Sequence, residues 1–393
     1  MTDEVTTVSA EKSSRFSAVF YPAFPVVVLG LLFGYLGSVM GAANMFNTMF
    51  STAHGLLMNT VLYIMGICVL AGAIGRLLLE FGTVAVMERV LRPLMRPLYR
   101  LPGKASLAAV MTFFSDNPAI ISLANDARFA KSFKAYQLVS LANFGTAFGM
   151  GLIVVTFMSA QSIGGESAMT PALIGLFGAI VGSVVSTRLM QHMIYKDLGE
   201  RDHIEPDSDA DDQASEIPVS GDTIGLRFLN SCLDGGKSGV DLGIAIIPGV
   251  LIIATVVMML TFGPGETGYT GAAFQGVAVL PKLGSVFSGV FSALFGFQSP
   301  ELIAFPITSL GAVGAAMTLV PPFITQGIIG GNEIAVFTAM GMCWSGYLST
   351  HTAMLDTLGY RNLISKALLS HTIGGLAAGI AAHYTYLLFS LFS

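Results

Sequence analysis

The sequence predicts an all-α polytopic membrane protein: an inverted-topology repeat with two re-entrant helical hairpins and about seven full transmembrane helices. Three observations carry that prediction. Hydrophobic residues make up 53% of the 393 and charged residues only 11%, less than half of the roughly 25% charge usual in a soluble protein. Lysine and arginine collect in alternate loops. Two long apolar stretches are each interrupted midway by a proline and a carboxylate, which break a helix and do not face lipid.

The elements follow in order. Residues 1–58 hold a short tail of mixed charge and an apolar run from Phe16 to Met40. That run is too long for a signal-peptide core and covers the roughly 20 residues a bilayer needs, so it reads as an extra first span. A first repeat occupies 59–193, with spans near 59–79, 135–159 and 170–190. Its hairpin, 105–127, is broken by Ser115-Asp116-Asn117-Pro118. The arginine-rich segment Glu88 to Arg100 before it reads as an interfacial helix on the anionic inner leaflet. Residues 194–238 form an acidic cytoplasmic linker carrying Glu205, Asp207, Asp209, Asp211, Asp212 and Glu216. This is the composition of a solvated connector, and it has no EF-hand spacing. A second, inverted repeat occupies 239–393, with spans near 241–262, 332–355 and 367–390. Its hairpin, 284–323, is interrupted by Gln298-Ser299-Pro300-Glu301.

The basic residues orient these elements. With the N-terminus in the cytoplasm and each hairpin returning to its own side, only Lys282 of the 19 lysines and arginines lies outside. The connections 41–58, 160–169 and 263–275 contain none. This is the positive-inside pattern, and it puts the C-terminus outside a bacterial inner membrane. The two repeats then run span, hairpin, span, span in opposite orientations, the layout of secondary transporters.

Broken helices expose backbone N–H and C=O groups and dipole ends where a dehydrated solute can bind. At the first tip Ser115, Asp116 and Asn117 precede Pro118, and at the second Gln298 and Ser299 precede Pro300 and Glu301. Serine and asparagine suit helix capping, whereas a carboxylate at membrane depth is costly and needs a partner, a proton or water. On the spans after the hairpins, Asn143, Thr146, Glu333 and Ser345 are the expected cavity-lining groups. Glu333 equally suits a cap at an outer helix end. Trp344 and the histidines His351, His371 and His383 fit packing roles better than ligand roles, since no metal spacing relates them.

Other chemistries lack support. Cys68, Cys232 and Cys343 fit neither a metal nor a disulfide framework. No metal triad, phosphate loop or nucleophile elbow is present, so an enzyme is not expected. A net charge of −5, with basic residues confined to short loops, gives no nucleic-acid surface.

The segments GICVLAGAIGRLLLEFG (66–82), VLRPLMRPLYRLPG (90–103) and SDNPA (115–119) resemble the nucleoside-recognition, or Gate, domain, as do FGFQSPELIAFP (295–306) and NEIAVFTAMGMCWSGYLST (332–350). That domain occurs in concentrative nucleoside transporters, ferrous-iron transporters and spore-maturation membrane proteins. The resemblance implies a transport fold, a homo-oligomer and, as leading solute, a nucleoside. The resulting expectation is a secondary transporter of a small polar organic solute, coupled to Na+ or H+ and using no other cofactor. Solute and cation would bind between the hairpin tips with alternating access. A non-transporting assembly or sensor subunit like the spore-maturation proteins is the second reading, and an ion or metal permease the third.

Overall fold

The computed structural model describes residues 2–199, 201 and 223–392, with side chains from residue 20 onward. The acidic run 205–216 lies outside the described residues. Among the described residues the regular structure is helical apart from a two-residue β ladder, Ser162–Ile163 with Glu166–Ser167, and an isolated antiparallel bridge between Gly265 and Gly268.

Helix α1 (Thr2–Met40) is, over Phe20–Met40, the least buried of the long apolar helices. Gly41, at φ 80, turns the chain into α2 (Ala42–Gly55), which passes through a π turn at Leu56–Val61 into α3 (Leu62–Glu80). Residues 41–58, expected as an outer connection, are therefore mostly helix. Their polar groups are used locally: Asn44 Nδ2 donates to the Tyr269 carbonyl at 2.9 Å, and Thr52 Oγ1 accepts from Phe274 N at 2.9 Å. The amphipathic α4 (Thr83–Leu94) and the π turn Met95–Tyr99 run on to the first hairpin, formed by α5 (Ala105–Phe114) and α6 (Pro118–Asn125). A single turn, α7 (Ala127–Ala130), follows. The next span is broken into α8 (Ala135–Thr146) and α9 (Gly151–Ser159), and is the most buried of all. Helix α10 (Met169–Leu198) closes the first repeat.

Helix α11 (Ile224–Gly249) starts inside the stretch expected as linker and continues through a π turn into α12 (Thr255–Thr261). Its early residues are ordered by α3. Gly235 and Gly239 press so closely on Gly72 and Cys68 that a Cβ on either would overlap the α3 backbone. Beyond them Arg227 Nε bonds Glu80 Oε1 at 2.8 Å.

The second hairpin departs from expectation. Helices α13 (Val279–Val286) and α14 (Ser288–Phe295) are followed by an elbow, and Pro300–Gly311 runs off at 75°. That arm is a 3-10 turn, Pro300–Ile303, leading into α15 (Ala304–Gly311). The chain then reverses at Ala312, which is extended (φ −164, ψ 118), into α16 (Val313–Met317) and α17 (Val320–Thr325). Gln298–Glu301 is thus the elbow that begins the hairpin, and the tip is at Gly311–Gly314. Phe305 of α15 stacks on Phe337 at 4.1 Å between ring centroids, anchoring this arm to the next span.

That next span, expected to be continuous, is broken into α18 (Gly331–Cys343) and α19 (Tyr347–Thr357). Helix α20 (Ile364–Ser390) ends the fold, packed along α10 through Gly178, Gly182, Gly374 and Ala378. Among the described residues, six helical stretches are long and apolar enough to cross a membrane, or seven with the bent pair as one span. Each repeat therefore carries a hairpin followed by a span broken in its middle.

Candidate functional site

The first hairpin tip meets both broken spans. Helix α5 ends at Ser115, whose hydroxyl bonds back to the Met111 carbonyl at 2.6 Å. Pro118 restarts the chain at the first turn of α6, where its missing N–H costs nothing. Between them Asp116 Oδ1 accepts from Asn117 N at 2.7 Å and from Asn117 Nδ2 at 3.1 Å. Asn117 is buried between the break at residues 147–150 and the break at 344–346. Its Nδ2 lies 3.4 Å from Ser345 Oγ, which donates to the Thr146 carbonyl at 3.1 Å. A Cβ on Gly149 would overlap the Asn117 amide, and one on Gly346 would meet both that amide and the Thr350 hydroxyl. Only glycine admits this approach. Asn117 Oδ1 is buried with no hydrogen-bond partner among the described residues.

Above this junction lies a cavity of about 340 Å³. The first tip contributes Asp116, Asn117 and Pro118, and the second tip Gly311–Gly314. Ser345, Gly346, Ser349, Thr350 and Ala353 come from the second broken span, Met150 from the first, and Leu242, Ala245 and Ile246 from α11. Asp116 is its one ionisable lining group among the described residues, and no ion pair described involves it.

Of the residues singled out in the sequence, the structure puts Asp116, Asn117 and Ser345 on this lining. Ser115 is at the tip but turned back onto α5. Thr146 sits beneath: its hydroxyl bonds the Ala142 carbonyl at 2.6 Å, and only its carbonyl reaches Ser345. Asn143 faces away from the cavity. Its Nδ2 donates to Ser186 Oγ (2.9 Å), Ser370 Oγ (2.8 Å) and the Ala367 carbonyl (3.1 Å). Ser186 Oγ also bonds His371 Nδ1 at 2.8 Å, and His371 Nε2 lies 2.6 Å from the Cys343 carbonyl. This buried network ties α8, α10, α18 and α20 together. His351 stacks beside His371, ring centroids 4.6 Å apart, with Nδ1 2.5 Å from the Tyr347 carbonyl. Trp344 is turned from the cavity too, its indole N–H donating to the His371 carbonyl at 3.1 Å.

Gln298, Ser299 and Glu301 do not reach the cavity. Gln298 and Ser299 line a small separate cleft with Ser288, Phe291 and Ile303; Ser299 Oγ donates to Glu301, and Gln298 Nε2 to the Gly296 carbonyl at 3.1 Å. Glu333 caps α18, Oε2 accepting from Gly330 N at 2.8 Å. Its neighbour Asn332 bonds the Phe295 carbonyl (2.9 Å) and His383 Nδ1 (2.7 Å), holding the end of α14 against α18 and α20. Sequence reasoning missed Ser349, Thr350, Met150 and the whole second tip. The small-residue run Gly311-Ala312-Val313-Gly314 inside an apolar stretch was the available signal.

No family model matches the chain. An uncharacterised protein of Alkalihalophilus pseudofirmus is 32% identical over 114 residues, 28% of this chain, so the match spans about a quarter (24%) of that relative's length. The fold is similar to solved structures of the concentrative nucleoside transporter CNTnw. A doubly substituted variant in an outward-facing state covers 97% of this chain and 86% of its own at TM-score 0.54 and 16% identity. An inward-facing, substrate-bound form covers 96% and 86% at TM-score 0.53 and 13% identity. The chain is an all-α polytopic membrane protein with the architecture of the concentrative nucleoside transporters.

Proposed function

We propose that this protein is a secondary transporter of a small polar organic solute, coupled to Na+ or H+, working by alternating access in a bacterial inner membrane. The observation that carries the reading is the junction of two hairpin tips and a broken span around one cavity with a carboxylate in its wall. Non-helical backbone at membrane depth is tolerated where protein buries it or it lines an aqueous cavity, and in transporters such breaks flank the solute. Hairpins that meet at their tips are also elements that can shift between two arrangements and so expose a site first to one side and then to the other. The unpartnered Oδ1 of Asn117, beside the broken end of α8, is the candidate ligand for a coupling cation. The fold shared with CNTnw supports transport.

Solute counterflow in proteoliposomes tests the reading, first with an imposed Na+ gradient and then with a proton gradient. Asp116→Asn is expected to reduce flux to background while elution volume and melting temperature stay near wild type. Absence of counterflow for every polar solute tried, under both gradients, would instead favour a non-transporting membrane subunit.

A further inference from the structure

The cavity's lining is specific enough to name a class of occupant. We infer that it takes a small aliphatic solute carrying a primary ammonium group, with that group held against Asp116. The inference rests on the reading of this cavity as the solute site.

Charge comes first. Asp116 is the one ionisable group on the lining among the described residues, and no lysine, arginine or histidine faces it there. Asn117 supplies two N–H donors to Oδ1, and no described protein donor bonds Oδ2. A carboxylate at membrane depth without a counter-charge is strongly unfavourable, so the cavity favours a cationic occupant. The second tip does not change that balance, because Gly311-Ala312-Val313-Gly314 brings backbone and apolar carbon only.

Hydrogen-bonding capacity narrows the cation. An ammonium group carries three donors and no acceptor. Ser349 and Thr350 of α19 line the same space, and their hydroxyls make no hydrogen bond to the protein among the described residues. Asp116 and these two hydroxyls are therefore acceptors that the three donors of a primary ammonium can meet.

Shape and surface exclude the alternatives. No aromatic side chain lines the cavity among the described residues, so a nucleobase has no ring to stack on. A quaternary ammonium, which is recognised by aromatic cages and donates no hydrogen bond, finds nothing suited to it either. The opposite wall, Leu242, Ala245, Ile246 and Val313, offers aliphatic surface to an aliphatic body. A volume of about 340 Å³ is at the small end for organic ligands. Such an occupant differs from the nucleoside expected by resemblance.

The test is equilibrium binding and thermal shift on the detergent-purified full chain, at fixed ionic strength. The probes are 4-aminobutanol, 1,4-diaminobutane, the matched 1,4-butanediol, choline and uridine. The amines are expected to stabilise the protein, and butanediol, choline and uridine to leave it unmoved. Asp116→Asn should weaken amine binding by roughly tenfold or more, as loss of a charged hydrogen-bond partner does. Glu301→Gln, at the elbow and off the cavity lining, should leave it unchanged. If Asp116→Asn does not fold, Ser349→Ala and Thr350→Val carry the test, each expected to lower amine affinity severalfold. Stabilisation by uridine but not by amines overturns the inference, as does silence across the amines or amine affinity indifferent to all three substitutions. Amine binding without counterflow would sink the transport reading and leave this one standing. Counterflow of a neutral solute alone would do the reverse.

Discussion

Asn117 shows how a single side chain organises the site. Its amide is clasped between two glycines, Gly149 and Gly346, that belong to different repeats. It also holds the Asp116 carboxylate in place through two donors. A methyl group on either glycine has nowhere to go without moving the tip, because its neighbours are packed against the two broken spans. Gly346→Ala is therefore expected to cost about 1–3 kcal/mol in stability, the usual toll of overpacking, and to displace Asp116 from the cavity wall. A lowered melting temperature together with lost solute binding is the signature. An unchanged melting temperature would mean that the tip accommodates the methyl and is not clamped as described.

At the scale of elements, the network through Asn143, Ser186, Ser370 and His371 separates scaffold from site. Each member has a partner on another helix, so the network fixes the crossing of α8, α10 and α20 where small residues bring the backbones close. Asn143→Ala would remove the donor shared by the Ser186 and Ser370 hydroxyls and the Ala367 carbonyl, which keep their other partners, a loss of about 1–3 kcal/mol. Because the side chain points away from the cavity, solute affinity in the folded fraction should be unchanged. Melting curves and binding isotherms on the same preparation distinguish the two effects. An affinity loss exceeding the stability loss would put Asn143 back in the site.

For the whole molecule the consequence of the inverted repeat is a topology. The exposed residues Glu166 and Glu266 lie in connections free of lysine and arginine, whereas Arg100 ends the basic amphipathic segment. In a background lacking Cys232, a cysteine at 166 or 266 is expected to react with a membrane-impermeant thiol reagent from outside. A cysteine at 100 should react only after the membrane is opened. Cys68 and Cys343 are buried and should stay silent. Finding 100 and 266 on the same side would leave the two repeats parallel rather than inverted.

Hydropathy, charge asymmetry and helix-breaking residues are local properties, and they were enough to establish an all-α polytopic membrane protein and to locate the first tip. Ser115-Asp116-Asn117-Pro118 is legible because the residues that break the helix there are also the polar residues that face the cavity. The second tip breaks that correspondence. Its reversal is made by small and apolar residues at 311–314, while the conspicuous polar interruption at 298–301 marks an elbow whose side chains satisfy one another. Which break faces which, and whether Asn143 or Thr350 looks into the cavity, depends on how α8, α10, α19 and α20 are rotated in the bundle. Packing against partners hundreds of residues away sets those rotations, so only the tertiary structure decided them.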